Sequence, residues 1–168
     1  MPWKRPGRWW RHAITDRSAV RRAFPPTALD AIERAIAAGE RTHSGQVVFA
    51  VEPALPLARV AARLSPRERA LEVFGLARVW DTEGNDGVLI YLLLADRDVE
   101  IVADRGIAAL VPEVAWQSIC ERMEASLRDA RYEEGVVAGV EAVSALLASA
   151  HPRGAKDADE LSNRPLVL

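Results

Sequence analysis

Asp81-Thr82-Glu83-Gly84-Asn85-Asp86-Gly87 opens the stretch that decides the fold. An apolar run follows, Val88-Leu89-Ile90-Tyr91-Leu92-Leu93-Leu94-Ala95, then Asp96-Arg97, a second run from Asp98 to Ala103, and Asp104-Arg105-Gly106-Ile107. The first run is short, continuously apolar and bounded by Gly and Asp, the pattern of a central strand covered on both faces. In the second, Val99, Ile101 and Ala103 alternate with Asp98, Glu100 and Val102, which reads as more edge-like. Together they form a β-hairpin. With Asp96 and Arg97 as a two-residue turn, antiparallel partners keep a constant sum of positions, so Leu94 faces Val99 and Leu89 faces Asp104. Asn85-Asp86-Gly87 then lies beside Asp104-Arg105-Gly106. Carboxylates separated by glycines at one edge allow close approach of a cation or polar ligand. The plainer reading is two ordinary strand-end turns, where Asp, Asn and Gly are common.

Upstream, Gln46 to Glu52 holds Val47, Val48, Phe49 and Val51 in a short buried strand ending at Pro53. Ser65-Pro66-Arg67-Glu68 is a capping box with proline in the first turn, and Ala70, Leu71, Phe74 and Ala77 form the buried stripe of the helix it starts, with Trp80 closing it. A strand, a helix and another strand in succession favour two parallel strands joined by a right-handed crossover. Parallel strands begin at one edge, so Glu40 to Gly45 lies where Asp81 to Asp86 and Asp104 to Ile107 already are. Three loops converge there.

Leu29, Ile32, Ala35 and Ile36 mark a first core helix after Phe24-Pro25-Pro26. Trp116, Ile119, Cys120, Met123 and Leu127, then Val136, Val140, Val143 and Leu147, mark two helices that pair as a hairpin over the sheet. Gly135 and Gly139 permit close packing between them. The fold class is therefore α/β: a three-layer α/β/α sandwich with a small mixed sheet, a parallel βαβ unit plus a β-hairpin, and a C-terminal helical hairpin. Residues 1–22 are a basic arm, residues 23–150 the domain, and residues 151–168, rich in Pro, Gly and charge, are expected to be a mobile tail.

The arm carries Trp3, Trp9 and Trp10 among Lys4, Arg5, Arg8, Arg11, Arg17, Arg21 and Arg22, with Asp16 its only acid. Such a segment suits an anionic membrane surface with tryptophans at headgroup level, and equally an arm packed on its own domain or on a second copy. The 168 residues are 49% hydrophobic with a net charge of −2, which fits one packed domain and argues against a nucleic-acid binder defined by overall charge. Cys120 is the single cysteine, so no intrachain disulfide and no cysteine metal cluster exist. It reads, like Trp116 and Trp80, as a core residue. No apolar run of about 18 residues and no signal-peptide core is visible, so the expected location is cytoplasmic, peripheral at the inner membrane face if the arm docks.

The GxxxxGK[ST], HExxH, GxSxG and GxGxxG motifs are absent, and Asp86 and Leu92 stand where an EF-hand starting at Asp81 needs Gly and Glu. What remains is an oxygen-rich edge of Glu40, Asp81, Glu83, Asn85, Asp86 and Asp104. Oxygen ligands suit hard cations, calcium first and magnesium second, with Glu40, Asp81, Asn85, Asp86 and Asp104 as the candidate set. Arg105 reads either as a phosphate or ligand contact or as an ion-pair partner of Asp86 or Asp104. His43 reads as a ligand, a general base or a simple surface histidine.

Asn85-x-Gly87-Val88-Leu89-Ile90, the charged Asp96-Arg97 turn, the Ile-bearing strand after it, and Tyr132-x-x-Gly135-Val136-x-x-Gly139-Val140, in this order and spacing, resemble the TPM domain family over roughly residues 22–150. The resemblance implies a sheet sandwiched by helices, a divalent cation near the loop edges, and either acid phosphatase activity or a role as a binding module of membrane complexes. Asn85-Asp86-Gly87 matches the family's Asn-Asn-Gly. Asp104-Arg105-Gly106 stands where Gly-x-Gly is usual, a departure that changes the charge and backbone freedom of that loop. The reading that follows is a cation-binding interaction module associated with a membrane or a membrane-protein complex. The alternative is a metal-assisted phosphomonoesterase, for which no nucleophile is evident.

Overall fold

A computed structural model describes residues 7–154 and 160–168. Two short helices, α1 (Arg8–Ile14) and α2 (Arg17–Ala23), precede α3 (Pro26–Glu40), β1 (Gln46–Glu52), α4 (Leu57–Ala61) and α5 (Pro66–Leu76). The hairpin β2 (Gly87–Leu93) and β3 (Asp98–Ala103) follows, then α6 (Arg105–Ala108), the helical hairpin α7 (Glu113–Arg128) and α8 (Tyr132–Ala150), and β4 (Leu166–Val167). Strand order is β3-β2-β1-β4, with β1 parallel to both β2 and β4 and the β2–β3 pair antiparallel.

β1 and β2 are buried at every position, because each sends alternate side chains into a separate core. Val47, Phe49 and Val51 of β1 join Val88, Ile90 and Leu92 of β2 under α3, α7 and α8. Val48 and Ala50 join Leu89, Tyr91 and Leu93 on the other face, under α5. The result is the α/β/α sandwich that the periodicity implies. The Ser65–Glu68 capping box is present with both of its reciprocal bonds, and Gly135 and Gly139 do bring α7 and α8 together: a Cβ at Gly139 would lie 2.3 Å from Met123 Sδ.

Four expectations change. The hairpin register is Leu92 to Val99 and Leu89 to Val102, two residues from the expected pairing. The turn holds four residues, Leu94 to Arg97, with Arg97 at φ 52°, and a shift of two leaves every side chain on its expected face. Leu71 and Trp80 are about half exposed, and Val73 takes the buried place in the α5 stripe. Trp80 instead lies beneath the Arg78 guanidinium, 5.9 Å from ring centroid to Cζ, and its indole N–H donates to Gly75 O. Finally, the end of the expected mobile tail is a strand. Leu166 and Val167 pair with Ala50 and Val51, and Leu161, Leu166 and Leu168 pack on the α5-side core. Two residues are too few for periodicity to reveal a strand.

The arm packs on its own domain. Val20 and Phe24 enter the larger core, and α1 is fixed by its charged side: Arg8 Nε and Arg11 Nη2 donate to the Asp96 carboxylate at 2.8 and 2.9 Å, and Arg11 Nε donates to Ala95 O. His12 is buried, its Nδ1 accepting from Leu55 N at 2.9 Å, with Nε2 3.2 Å from Asp96 Oδ2. An accepting Nδ1 carries no proton, which places the proton of a neutral ring on Nε2, facing the carboxylate. Trp3, with Lys4 and Arg5, lies outside the described residues.

Candidate functional site

The amino ends of β1 and β2 and the carboxyl end of β3 meet at one edge, as their directions require. Gln46 N donates to Asp86 O at 3.1 Å, Asp104 N to Gly87 O at 2.8 Å and Gly106 N to Asn85 O at 2.9 Å. The glycines are needed for closeness. A Cβ on Gly87 would sit 1.9 Å from Val79 O, and one on Gly106 2.6 Å from Asn85 O, both inside any tolerable contact. Asn85 turns the chain at φ 52°, a conformation asparagine tolerates better than most residues.

The convergence is real, but its side chains are largely engaged with one another or with backbone. Glu40, 2% exposed, accepts from Val47 N at 2.8 Å through Oε1. Asp81 is half exposed and pairs with Arg78. Asn85 Oδ1 accepts from Arg105 Nε and Nη2, so Arg105 holds the asparagine rather than Asp86 or Asp104. Asp104 Oδ1 accepts from Arg105 N at the start of α6. Asp86 is 6% exposed, and its Oδ2 lies 3.4 Å from His151 Nε2. Two carboxylate oxygens, Asp86 Oδ1 and Asp104 Oδ2, are buried without a hydrogen-bond partner. Among the described residues, no three His, Cys, Asp or Glu side chains are placed to hold a metal ion together. The candidate carboxylates thus do not gather as a group of three, while Asp86 and Asp104 each keep one buried oxygen without a hydrogen-bond partner.

His43 is not on the surface. It is 1% exposed, sealed by a bridge to Pro152 and by α8, and neither ring nitrogen has a hydrogen-bond partner among the described residues. Burial pushes its pKa below the usual imidazole value, and the charges of His151 and Arg153 push the same way. Ser144 Oγ, also buried and unpartnered, crowds Gly39 in the same region, 2.0 Å from where a Cβ would be. This polar chamber escapes a sequence reading, because its parts come from α3, the loop after it, α8 and the chain beyond.

At the opposite end of the sheet, the hairpin turn meets the arm. Asp96 feels burial, which raises its pKa, but the hydrogen bonds from Arg8, Arg11 and His12 outweigh burial and hold the carboxyl below its ordinary range. Two open cavities of about 650 and 690 Å³ adjoin there, sharing Arg22, Ala23 and Tyr132 in their walls. On the far side of α1, Trp9, Trp10 and Ile14 are 52%, 55% and 59% exposed. The sequence did carry a signal for this clamp: Arg8, Arg11 and His12 fall at positions i, i+3 and i+4, one helical face.

A second buried network supports the α5 layer. Tyr91 Oη donates to Glu52 at 2.6 Å, and Arg69 grips the same carboxylate with two bonds of 2.9 and 3.0 Å while reaching Glu72. Burial and the Glu52 carboxylate push the Tyr91 phenol well above its usual pKa. Burial chiefly pushes the Cys120 thiol up to about 12, which disfavours the reactive thiolate.

A three-layer α/β/α domain with a parallel pair extended by a hairpin, glycine-spaced loops at one edge and a helical hairpin over one face defines a specific class. The family model described as TPM domain matches residues 21–146, and the chain belongs to the TPM domain family. A solved structure described as the NMR structure of BA42 protein from the psychrophilic bacteria Bizionia argentinensis sp. nov. is similar, with a TM-score of 0.75 and 26% identity, covering 84% of this chain and 93% of that one. No curated protein matches. Among the described residues, no helix is long and apolar enough to cross a membrane.

Proposed function

We propose that this TPM domain is an interaction module that docks on an anionic membrane surface through α1. The observation that supports it is the orientation of that helix: Arg8, Arg11 and His12 face the protein, while Trp9, Trp10 and Ile14 face outward. A helix that only stabilised the fold would bury its apolar side and leave arginines in water. Here the protein uses the charged side as the anchor and presents two indoles, the side chains best suited to the headgroup region. Exposed Arg17 and Arg21 on the next helix supply attraction to anionic lipid.

Co-sedimentation with vesicles tests this. Wild type should bind vesicles containing phosphatidylglycerol with a blue shift of tryptophan emission, and Trp9→Ala/Trp10→Ala should lower the affinity by about tenfold or more, as loss of two large apolar contacts requires. A double variant that binds as wild type does would remove α1 from the function.

The second reading, a calcium-binding edge, is favoured by one observation: Asp86 Oδ1 and Asp104 Oδ2 are buried and unpartnered. Hard cations are bound by such oxygens. A calcium-dependent rise in melting temperature of metal-stripped protein, abolished by Asp86→Asn, supports it, and a phosphomonoester assay with and without the cation then tests the enzymatic alternative. No shift with calcium, magnesium or manganese would sink it.

A further inference from the structure

We propose that the groove between the arm and the hairpin turn receives the phosphate of an anionic phospholipid headgroup. This rests on the docking reading above. The groove, about 650 Å³ in volume, includes Arg11, Ile14, Arg22, Asp96, Arg97 and Tyr132 in its wall, and its size falls within the ~300–1,000 Å³ range of small-ligand sites.

Its charge is unbalanced. Among the described residues, Asp96 is the only carboxylate in the wall, and Arg8 and Arg11 already occupy both of its oxygens. Arg22 gives one bond, from Nη1 to Ser18 Oγ at 2.8 Å, and the Arg97 guanidinium makes no hydrogen bond or ion pair among the described residues. Two guanidinium forks thus keep donors for an anion, and their planar geometry matches a phosphate. The groove also stands beyond the carboxyl end of β2, the end of an open α/β sheet where ligands bind.

The source of the phosphate follows from the rest of the wall. Ala19, Ala23 and Leu94 give it an apolar part. Ile14 belongs both to the groove and to the outward face of α1 that carries Trp9 and Trp10. A surface that seats those indoles at headgroup depth therefore brings lipid phosphates to the groove mouth.

The test uses the full chain and three readouts: phosphatidylcholine vesicles with and without phosphatidylglycerol, NMR titration with sn-glycerol 1-phosphate, and melting curves to confirm folding. Wild type should prefer phosphatidylglycerol vesicles, and Arg22→Gln/Arg97→Gln should measurably lower that preference while keeping tryptophan-dependent binding to phosphatidylcholine. Glycerol phosphate should shift signals of Arg22, Arg97 and Tyr132. Arg122→Gln/Arg164→Gln, which removes equal charge at exposed residues outside the groove, should leave those shifts unchanged. Retained preference in the groove variant, or shifts scattered over other arginines, overturns the site. Wild type that binds both vesicles alike upholds docking by the indoles but overturns the groove and the preference for an anionic surface. Wild type that binds no vesicle overturns both, even if glycerol phosphate alone occupies the groove, which would then be a site for a free phosphate ester.

Discussion

Asp98, half-buried, and His43, buried, are titratable side chains with opposite effects on stability. Burial, and then the negative charges of Glu100, Glu124 and Asp96, push the Asp98 carboxyl up to about 7. A folded pKa above the unfolded value near ~4 means that the stability it contributes is full below about pH 4 and declines as pH rises toward 7. Asp98→Asn should remove that decline and stabilise the protein at pH 8 by about 1 kcal/mol, once solvent screening of a partly exposed group is allowed for. Urea melts at pH 4 and pH 8 measure it, and parallel curves for wild type and variant would show that the repulsion is absent. His43 has the reverse sign. Its depressed pKa contributes stability above about pH 6.5 that is lost as pH falls through the folded value. His43→Gln should therefore show a shallower loss between pH 7 and 5, whatever its stability at neutral pH, and an unchanged slope would place the acid sensitivity elsewhere. At this scale the sequence was informative about residue type and silent about partners. It showed that Asp86 and Asp104 would share an edge. It did not show that Arg105 would reach across to Asn85, or that His43 would be enclosed, since those outcomes depend on residues about 20 to more than 100 positions away.

The elements that could be read were those whose signals are local. β1 carries its own apolar run and terminal proline, α5 its capping box, and α7 and α8 their stripes, so their positions agree with expectation. The hairpin was legible as a hairpin but not in register, because Arg97 rather than glycine or asparagine takes the left-handed position and hides a four-residue turn. β4 was illegible, since it exists through contacts with β1 and the α5-side core. That dependence can be measured. Deleting residues 161–168 removes Leu161, Leu166 and Leu168 from that core and should cost about 2–4 kcal/mol, lowering the melting temperature by several degrees. It should also make β1 an exposed edge and increase aggregation on heating. A variant that melts with wild type would show that the strand is an ornament of the fold.

For the whole molecule, the two ends of the sheet have different characters. One end is a closed assembly of loops, glycines and buried polar groups, among them His43, Ser144, Asp86 and Asp104 with atoms that lack a hydrogen-bond partner. The other is open, basic and bordered by exposed tryptophans. The family membership specifies the sandwich, and the particular sequence of the arm specifies what the open end presents. Asp96→Asn tests the link between them: without the charge that holds Arg8 and Arg11, the protein should lose about 1–3 kcal/mol of stability and much of its vesicle affinity, although Trp9, Trp10 and every groove arginine are intact. Unaltered vesicle binding would mean that α1 works without its anchor.

The same clamp sets an order of events during synthesis. α1 has seven residues, too few to persist as a helix alone in water, and its anchor lies 88 positions from Arg8. α1 must therefore wait for the hairpin, and contacts of such separation form late. An oriented pair of indoles is consequently a property of finished molecules, so a nascent or damaged chain does not present it.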